Sequence, residues 1–230
     1  NKATPLLLTG LAAAIAFRAK IWNIGAEGQL LAGAIAAYWT ITTLTFLSPP
    51  LMFIAVIFFS FLAGAITGVL AGFLKTRFNV DVIISTVLFN YIIAYLLSML
   101  VDTVYRDPTV YFKQSAKIPA WAEFPLLFAD YRLHAGVIVA IVAAIVIYLL
   151  IEKSPLGYEI QALGHNPKAA EYKGISVSKT ILFVMFISGG VAGLAGGSEL
   201  AGLIHRLKLD ISPGYGFTGI IVAMLAALHP

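Results

Sequence analysis

Cysteine is absent from the 230 residues, which excludes a disulfide framework, a thiolate metal site and a cysteine nucleophile. Charge is scarce as well: 11% of residues are Asp, Glu, Lys or Arg against 60% hydrophobic, where soluble domains carry about 25% charged residues. With a mean hydropathy of +0.92, a soluble fold of this length has too little interior to hide its apolar side chains. No Gly-Lys-Ser/Thr phosphate loop occurs, so nucleotide hydrolysis has no place on this chain. His134, His165, His205 and His229 show no metal-ligand spacing. Ser198 after Gly196 and Gly197, paired with His205 or His229, is a poor serine hydrolase, because Glu199 stands where such a motif carries glycine. The net charge of +4 fits Lys and Arg at membrane surfaces and gives no ground for nucleic-acid binding.

The apolar residues are grouped in long runs. Crossing a hydrocarbon core about 30 Å thick takes about 20 apolar residues in helix. Leu51 to Leu74, Val82 to Val101 and Ala135 to Ile151 contain no charged residue, and Thr180 to Gly197 is apolar and glycine-rich. Ala3 to Phe17 and Gly28 to Phe46 complete six spans, and Pro213 to Pro230 is a seventh. The predicted fold is therefore all-α, a polytopic transmembrane helical bundle forming a single domain over residues 1–230. Arg18 and Lys20 follow the first run where a signal peptide would place its basic residues before it, so that run reads as a span. The sequence starts at Asn1 inside an apolar stretch, without an initiator Met, and is still apolar at Pro230; further segments are expected at both ends.

Polar breaks at 18–27, 47–50, 75–81, 102–134, 152–179 and 198–212 alternate between the two membrane faces. One face collects eight basic residues, Arg18, Lys20, Lys75, Arg77, Lys153, Lys168, Lys173 and Lys179, and the other seven, Lys2, Arg106, Lys113, Lys117, Arg132, Arg206 and Lys208. A difference of one residue does not orient the chain. The break 102–134 has the Pro, Trp and Tyr content of an ordered interfacial loop. The break 152–179 is polar, and Asn166-Pro167 ahead of Lys168 to Tyr172, with Gly174 just beyond, predicts a short helix with an Asn N-cap and a left-handed Gly C-cap.

Gly64, Gly68 and Gly72 repeat on one face of the third span and Gly189, Gly193 and Gly197 on the sixth, with Gly28, Ala32 and Ala36 in the second. Such ridges let backbones approach closely, as packing seams or as surfaces that slide. In the fourth span Thr86 and Asn90 share a face. They suit either a path for a neutral polar solute or interhelical bonding. Asn23, Glu27 and Gln29 lie in N-I-G-A-E-G-Q, between a basic turn and an apolar span. This pattern fits a broken helix end that meets solute at membrane depth, with a plain structural cap as the alternative for Glu27. An ion- or proton-coupled secondary transporter would place ionisable groups in mid-span, and the third, fourth and fifth spans have none.

Two segments, N-I-G-A-E-G-Q at 23–29 and A-L-G-H-N-P-K-A-A-E-Y-K-G-I at 162–175 with the following span ending S-G-G-V-A-G-L-A-G-G at Gly197, resemble the inner-membrane permeases of the branched-chain amino acid, ribose and nucleoside group of ATP-binding-cassette importers. G-Y-G-F-T-G-I-I-V-A-M-L-A-A-L-H-P at 214–230 fits the same group, and the first motif is most like the nucleoside and simple-sugar permeases. The resemblance implies a non-enzymatic transport subunit in a bacterial or archaeal cell membrane. It also implies a cytoplasmic ATPase that carries ATP and Mg, a second permease subunit and an external substrate-binding lipoprotein. No cofactor is expected on this chain. The loop 152–179 becomes a cytoplasmic coupling loop with Gly164, Asn166, Lys168, Ala169, Ala170 and Gly174 as coupling positions, and 102–134 faces outward. Lys168 replaces the Glu of the wider importer motif, and its Ile-x-Leu-Pro ending is missing.

Overall fold

The computed structural model describes residues 2–128 and 133–230. Helices stand where the apolar runs predict them: α1 (Ala3–Arg18), α2 (Ala26–Thr43), α3 (Pro49–Phe78), α4 (Val82–Asp102), α5 (Gly136–Lys153), α8 (Val177–Glu199) and α9 (Tyr215–Leu225). Two short helices, α6 (Pro155–His165) and α7 (Pro167–Tyr172), lie between α5 and α8. Helices α3, α4, α5 and α8 with its extension to Ile204 are long and apolar enough to cross a membrane. By contrast, α1 and α9 are shorter, and Glu27 and Gln29 make the first turn of α2 polar. Arg132, counted above for charge, lies outside the described residues.

Local chemistry sets the helix ends. Pro50 sits in the first turn of α3, where its missing N–H costs nothing. The same helix closes on left-handed Asn79 with Asn79 N–H to Lys75 C=O and Val80 N–H to Leu74 C=O, a Schellman ending. Asp81 then caps α4 by accepting from Ile83 N (2.7 Å) and Ile84 N (3.3 Å). The sixth span runs further than composition implies. Ser198 and Glu199, assigned above to a polar break, are still helical and buried, and the helix continues as a π turn over Leu200–Ile204.

The bundle is built around α8. Of its most apolar window 72% is buried, against 33% for α3 and α4 and 22% for α5, so α8 is the centre and α5 is peripheral. The glycine ridges make this packing possible: a Cβ on Gly64 would strike the Gly189 carbonyl, and one on Gly189 would strike Gly64. Gly68 meets the Met185 carbonyl, Gly193 the Ser60 carbonyl and Gly197 the Ser60 hydroxyl, while Gly72 lies more loosely at 3.2 Å from Met185 Cβ. In α2 it is Gly33, one position from the Gly28/Ala32/Ala36 ridge, that meets Gly193, and Gly196 meets the Leu30 carbonyl. The outward faces of α3, α4 and α5 carry exposed Ile54, Phe58, Ile84, Tyr95, Ile141 and Ile145. A fold with glycine at its centre and bulky apolar side chains outside is suited to a hydrocarbon solvent.

At one end of the bundle the 102–128 loop is fastened to the segment after α8. Ser115 N donates to Leu207 O (2.8 Å), Ile118 N to His205 O (2.9 Å) and Phe124 N to Ala201 O (2.8 Å). A two-stranded hairpin, β1 (Leu126–Phe128) and β2 (Leu133–His134), leads into α5. The opposite end carries α6 and α7.

Candidate functional site

Helix α1 ends at Arg18 with Lys20 in the left-handed region (φ 55°) and Ile21 N bonded to Ala16 O (3.0 Å). The chain then turns back into the bundle before α2 begins. Its depth follows from Asn23 Nδ2, which donates to Ser188 Oγ (2.8 Å), and from Ser188 Oγ, which donates to Ala12 O (2.6 Å). Ala12 lies six residues before Arg18, on the order of 9 Å along the helix at about 1.5 Å per residue. Residues 19–25 are therefore irregular backbone at membrane depth, tolerated only where protein or a polar cavity satisfies the freed amides.

The sequence-predicted residues supply that satisfaction. Asn23 Oδ1 accepts from Gly25 N (3.0 Å) and from Gln29 Nε2 (3.2 Å). Thr86 Oγ1 accepts from Ile24 N (3.3 Å) and donates to Val82 O (2.7 Å). Asn90 Oδ1 accepts from Gly28 N (2.7 Å), and its Nδ2 donates to Ile24 O (2.9 Å). Asn23, Gln29, Thr86 and Asn90 are all buried, so α4 caps α2 across the bundle. Glu27, half-buried, reaches elsewhere: its Oε2 accepts from Gly216 N (2.7 Å) in the first turn of α9, a helix whose N-cap residue, Gly214, has no side chain to offer. A Cβ on Gly216 would strike the Glu27 backbone, so the N-termini of α2 and α9 abut with a carboxylate between them. Two positive helix ends around one negative group make a favourable arrangement. Ser188, Gly216 and Ser212 (whose Oγ accepts from Tyr215 N at 3.1 Å) belong to this region and were not singled out from the sequence; the N-I-G-A-E-G-Q motif gives no pointer to partners so far along the chain.

At the other candidate region, Asn166 Oδ1 accepts from Lys168 N (3.1 Å) and Ala169 N (3.2 Å), and Gly174 is left-handed (φ 86°) with open space around it. The six-residue helix predicted there is α7. Lys168, Ala169, Glu171 and Tyr172 are exposed while Ala170 is buried, so the two adjacent alanines differ: one is presented outward and one anchors the helix. Helix α6 was read as loop. Ser154, accepting from Gly157 N (3.1 Å), and Pro155 at its first turn start it, and Ile160, Leu163 and Gly164 form its buried face. A cleft of about 520 Å³ lies between α6 and the start of α8, lined by Glu159, Ile160, Gly174, Lys179 and Phe183 among others. The groove of about 600 Å³ between α3, α5 and α8 has only apolar lining, such as Phe53, Ile57, Val142 and Leu194, and offers a polar solute nothing.

Several buried polar atoms near the hairpin end are unmatched, His205 Nδ1 among them. His134 Nδ1 accepts from Gly136 N (3.1 Å), which places the ring proton on Nε2, and Nε2 has no partner. Burial holds His134 down at about 4. Glu199 Oε1, at the end of α8, also lacks a partner.

This architecture, a helical membrane bundle with an irregular segment leading into α2 and a capped helix between α5 and α8, is accompanied by clear sequence kinship. The chain belongs to the family described as branched-chain amino acid transport system / permease component, which matches residues 1–230. It is 40% identical to the guanosine ABC transporter permease protein NupP of Bacillus subtilis (strain 168), over 96% of this chain and 64% of that protein. Identity to the glucose ABC transporter permease protein TsgB13 of Haloferax volcanii is 35%, over 97% and 61%. For the nucleoside ABC transporter permease protein NupB of Lactococcus lactis subsp. cremoris it is 32%, over 98% and 65%. The chain thus spans a little under two thirds of the length of these relatives. No solved structure matches it.

Proposed function

We propose that this chain is the membrane-spanning core of a permease subunit in an ATP-driven importer, passing a nucleoside or simple sugar across a bacterial or archaeal cell membrane. In this reading a cytoplasmic ATPase supplies the energy, a second permease subunit completes the path and an external binding lipoprotein delivers the solute. The observation that carries it is α7: a helix of six residues, capped at both ends, exposed on one side and anchored by Ala170. Such a helix presents a rigid ridge for a partner's cleft. The guanosine, nucleoside and glucose for which these relatives are named support the solute class. In this reading Asn23, Glu27, Gln29, Thr86 and Asn90 shape the path chiefly by holding the start of α2 at membrane depth. The test is Ala169→Glu in the intact transporter: the ATPase no longer co-purifies while the protein stays in the membrane. Normal co-purification overturns the docking assignment.

Glu199 favours a second reading, because a buried carboxylate within a spanning helix is what a proton-coupled carrier would use. Uptake that survives inactivation of the ATPase and collapses with a protonophore would select it.

A further inference from the structure

At Gly164, helix α6 comes into close backbone contact with the end of α1 and the start of the re-entrant segment. Gly164 is packed so that a Cβ would strike the Arg18 carbonyl, with Ala19 Cα at 3.3 Å. Arg18 itself is a junction. Its Nη1 pairs with Glu152 Oε1 at the end of α5 (2.9 Å), and its Nε donates to Leu228 O just past α9 (3.1 Å). From Arg18 the segment 19–25 runs inward to the polar cluster, where its backbone and Asn23 are bound to α4, α8 and the first turn of α2. Helix α9 is held at both ends of this route, by Arg18 beyond its C-terminus and by Glu27 at its N-terminus.

We propose that Gly164 and Arg18 are positioning residues for transport: their contact carries displacement of α6 and α7 into the segment 19–25, which resets the start of α2 and, through Glu27, the start of α9. The proposal rests on the reading of α7 as the ATPase-docking helix. Three features favour this route. A contact between main chains has no rotamer to absorb a push, and packed interiors transmit strain. The segment 19–25 is irregular, with left-handed Lys20, and such element-terminal residues take up φ/ψ change in hinge motions. The far end is tied by hydrogen bonds to three helices, α8, α4 and the first turn of α2, so a shift there alters the lining at membrane depth.

The chain contains its own reporter. Trp22 lies within the segment, is 43% exposed and packs against Phe17 with ring centroids 4.6 Å apart and the planes tilted by 56°. The experiment uses the intact transporter, with its ATPase and binding protein, in proteoliposomes, in a background of Trp39→Phe and Trp121→Phe, with the emission of a further Trp22→Phe variant subtracted. ATP is expected to shift Trp22 emission in this parent. Arg18→Gln, which adds no bulk and lies outside the coupling loop, keeps the ATPase bound and hydrolysing but removes the Trp22 response and lowers uptake at least tenfold. Gly164→Ala likewise removes the Trp22 response and lowers uptake, and Arg18→Gln decides the matter if Gly164→Ala does not reach the membrane. A Trp22 response and uptake equal to the parent in both variants overturn the proposal and leave docking intact, as does a parent with no ATP-dependent change at Trp22. Loss of the ATPase on Gly164→Ala also overturns it, since Gly164 would then act in docking. Failure of the parent to hold an ATPase at all overturns the functional reading beneath it.

Discussion

Asn90→Leu separates a residue that builds the path from one that touches its cargo. Leu keeps the branching at Cγ and nearly the volume, so the change removes polarity without opening a cavity. It leaves Gly28 N–H and Ile24 C=O, now bonded at 2.7 and 2.9 Å, without partners at a site where Asn90 is 6% exposed. A buried backbone group left unpaired costs about 1–3 kcal/mol, whereas interhelical bonds measured within membranes average about 0.6 kcal/mol. Two such groups set the expected loss at about 1–6 kcal/mol. The measurement is SDS-driven unfolding of the purified chain in mixed micelles, followed by circular dichroism, beside uptake kinetics of the reconstituted transporter. Because both polar atoms of Asn90 are engaged with backbone, maximal uptake should fall with the folded fraction while KM stays constant. A loss below about 0.5 kcal/mol together with a several-fold rise in KM would refute the reasoning and make Asn90 a solute contact.

Gly193→Ala forces a Cβ into the Ser60 carbonyl and to 3.1 Å from Gly64 Cα, and should destabilise the bundle by about 1–3 kcal/mol in the same unfolding assay. Glu27→Gln retains an acceptor for Gly216 N but removes a charge from the start of α9, so a loss of about 0.3–1 kcal/mol is expected, with Glu27→Ala costing more; thermal melts in detergent rank the two. For His134 the sign follows from proton uptake. Burial lowers its folded pKa from 6.5 to about 4, the unfolded chain binds more protons between those values, and stability falls as pH drops through that window by roughly 3 kcal/mol. Protonation at Nδ1 also takes away the acceptor of Gly136 N–H. His134→Gln should flatten the pH profile of the melting temperature between pH 6.5 and 4, and an unchanged slope would show that another group titrates.

The spans were legible because a membrane demands them: each needs an unbroken apolar run, and composition alone exposes such runs. The cap of α7 was legible for a similarly local reason, since Asn166, Pro167 and Gly174 act on backbone within a few residues of themselves. What escaped depends on partners far along the chain. Glu27 reads locally as an aid to α2, yet its carboxylate serves Gly216, 189 residues away, and spacing has no purchase on that distance. The second helix offers small residues in adjacent registers, so the sequence ridge at Gly28, Ala32 and Ala36 does not reveal that Gly33 is the one pressed against Gly193. Glu199 was placed in a loop because charge normally ends a span; a helix that continues into a π turn buries it instead. Helix α6 was the avoidable miss. Ser154-Pro155 is a start signal, and Ile160, Leu163 and Gly164 follow at helical spacing. Gly164 also makes the contact with Arg18, so part of the polar break is a helix bearing directly on the route to membrane depth.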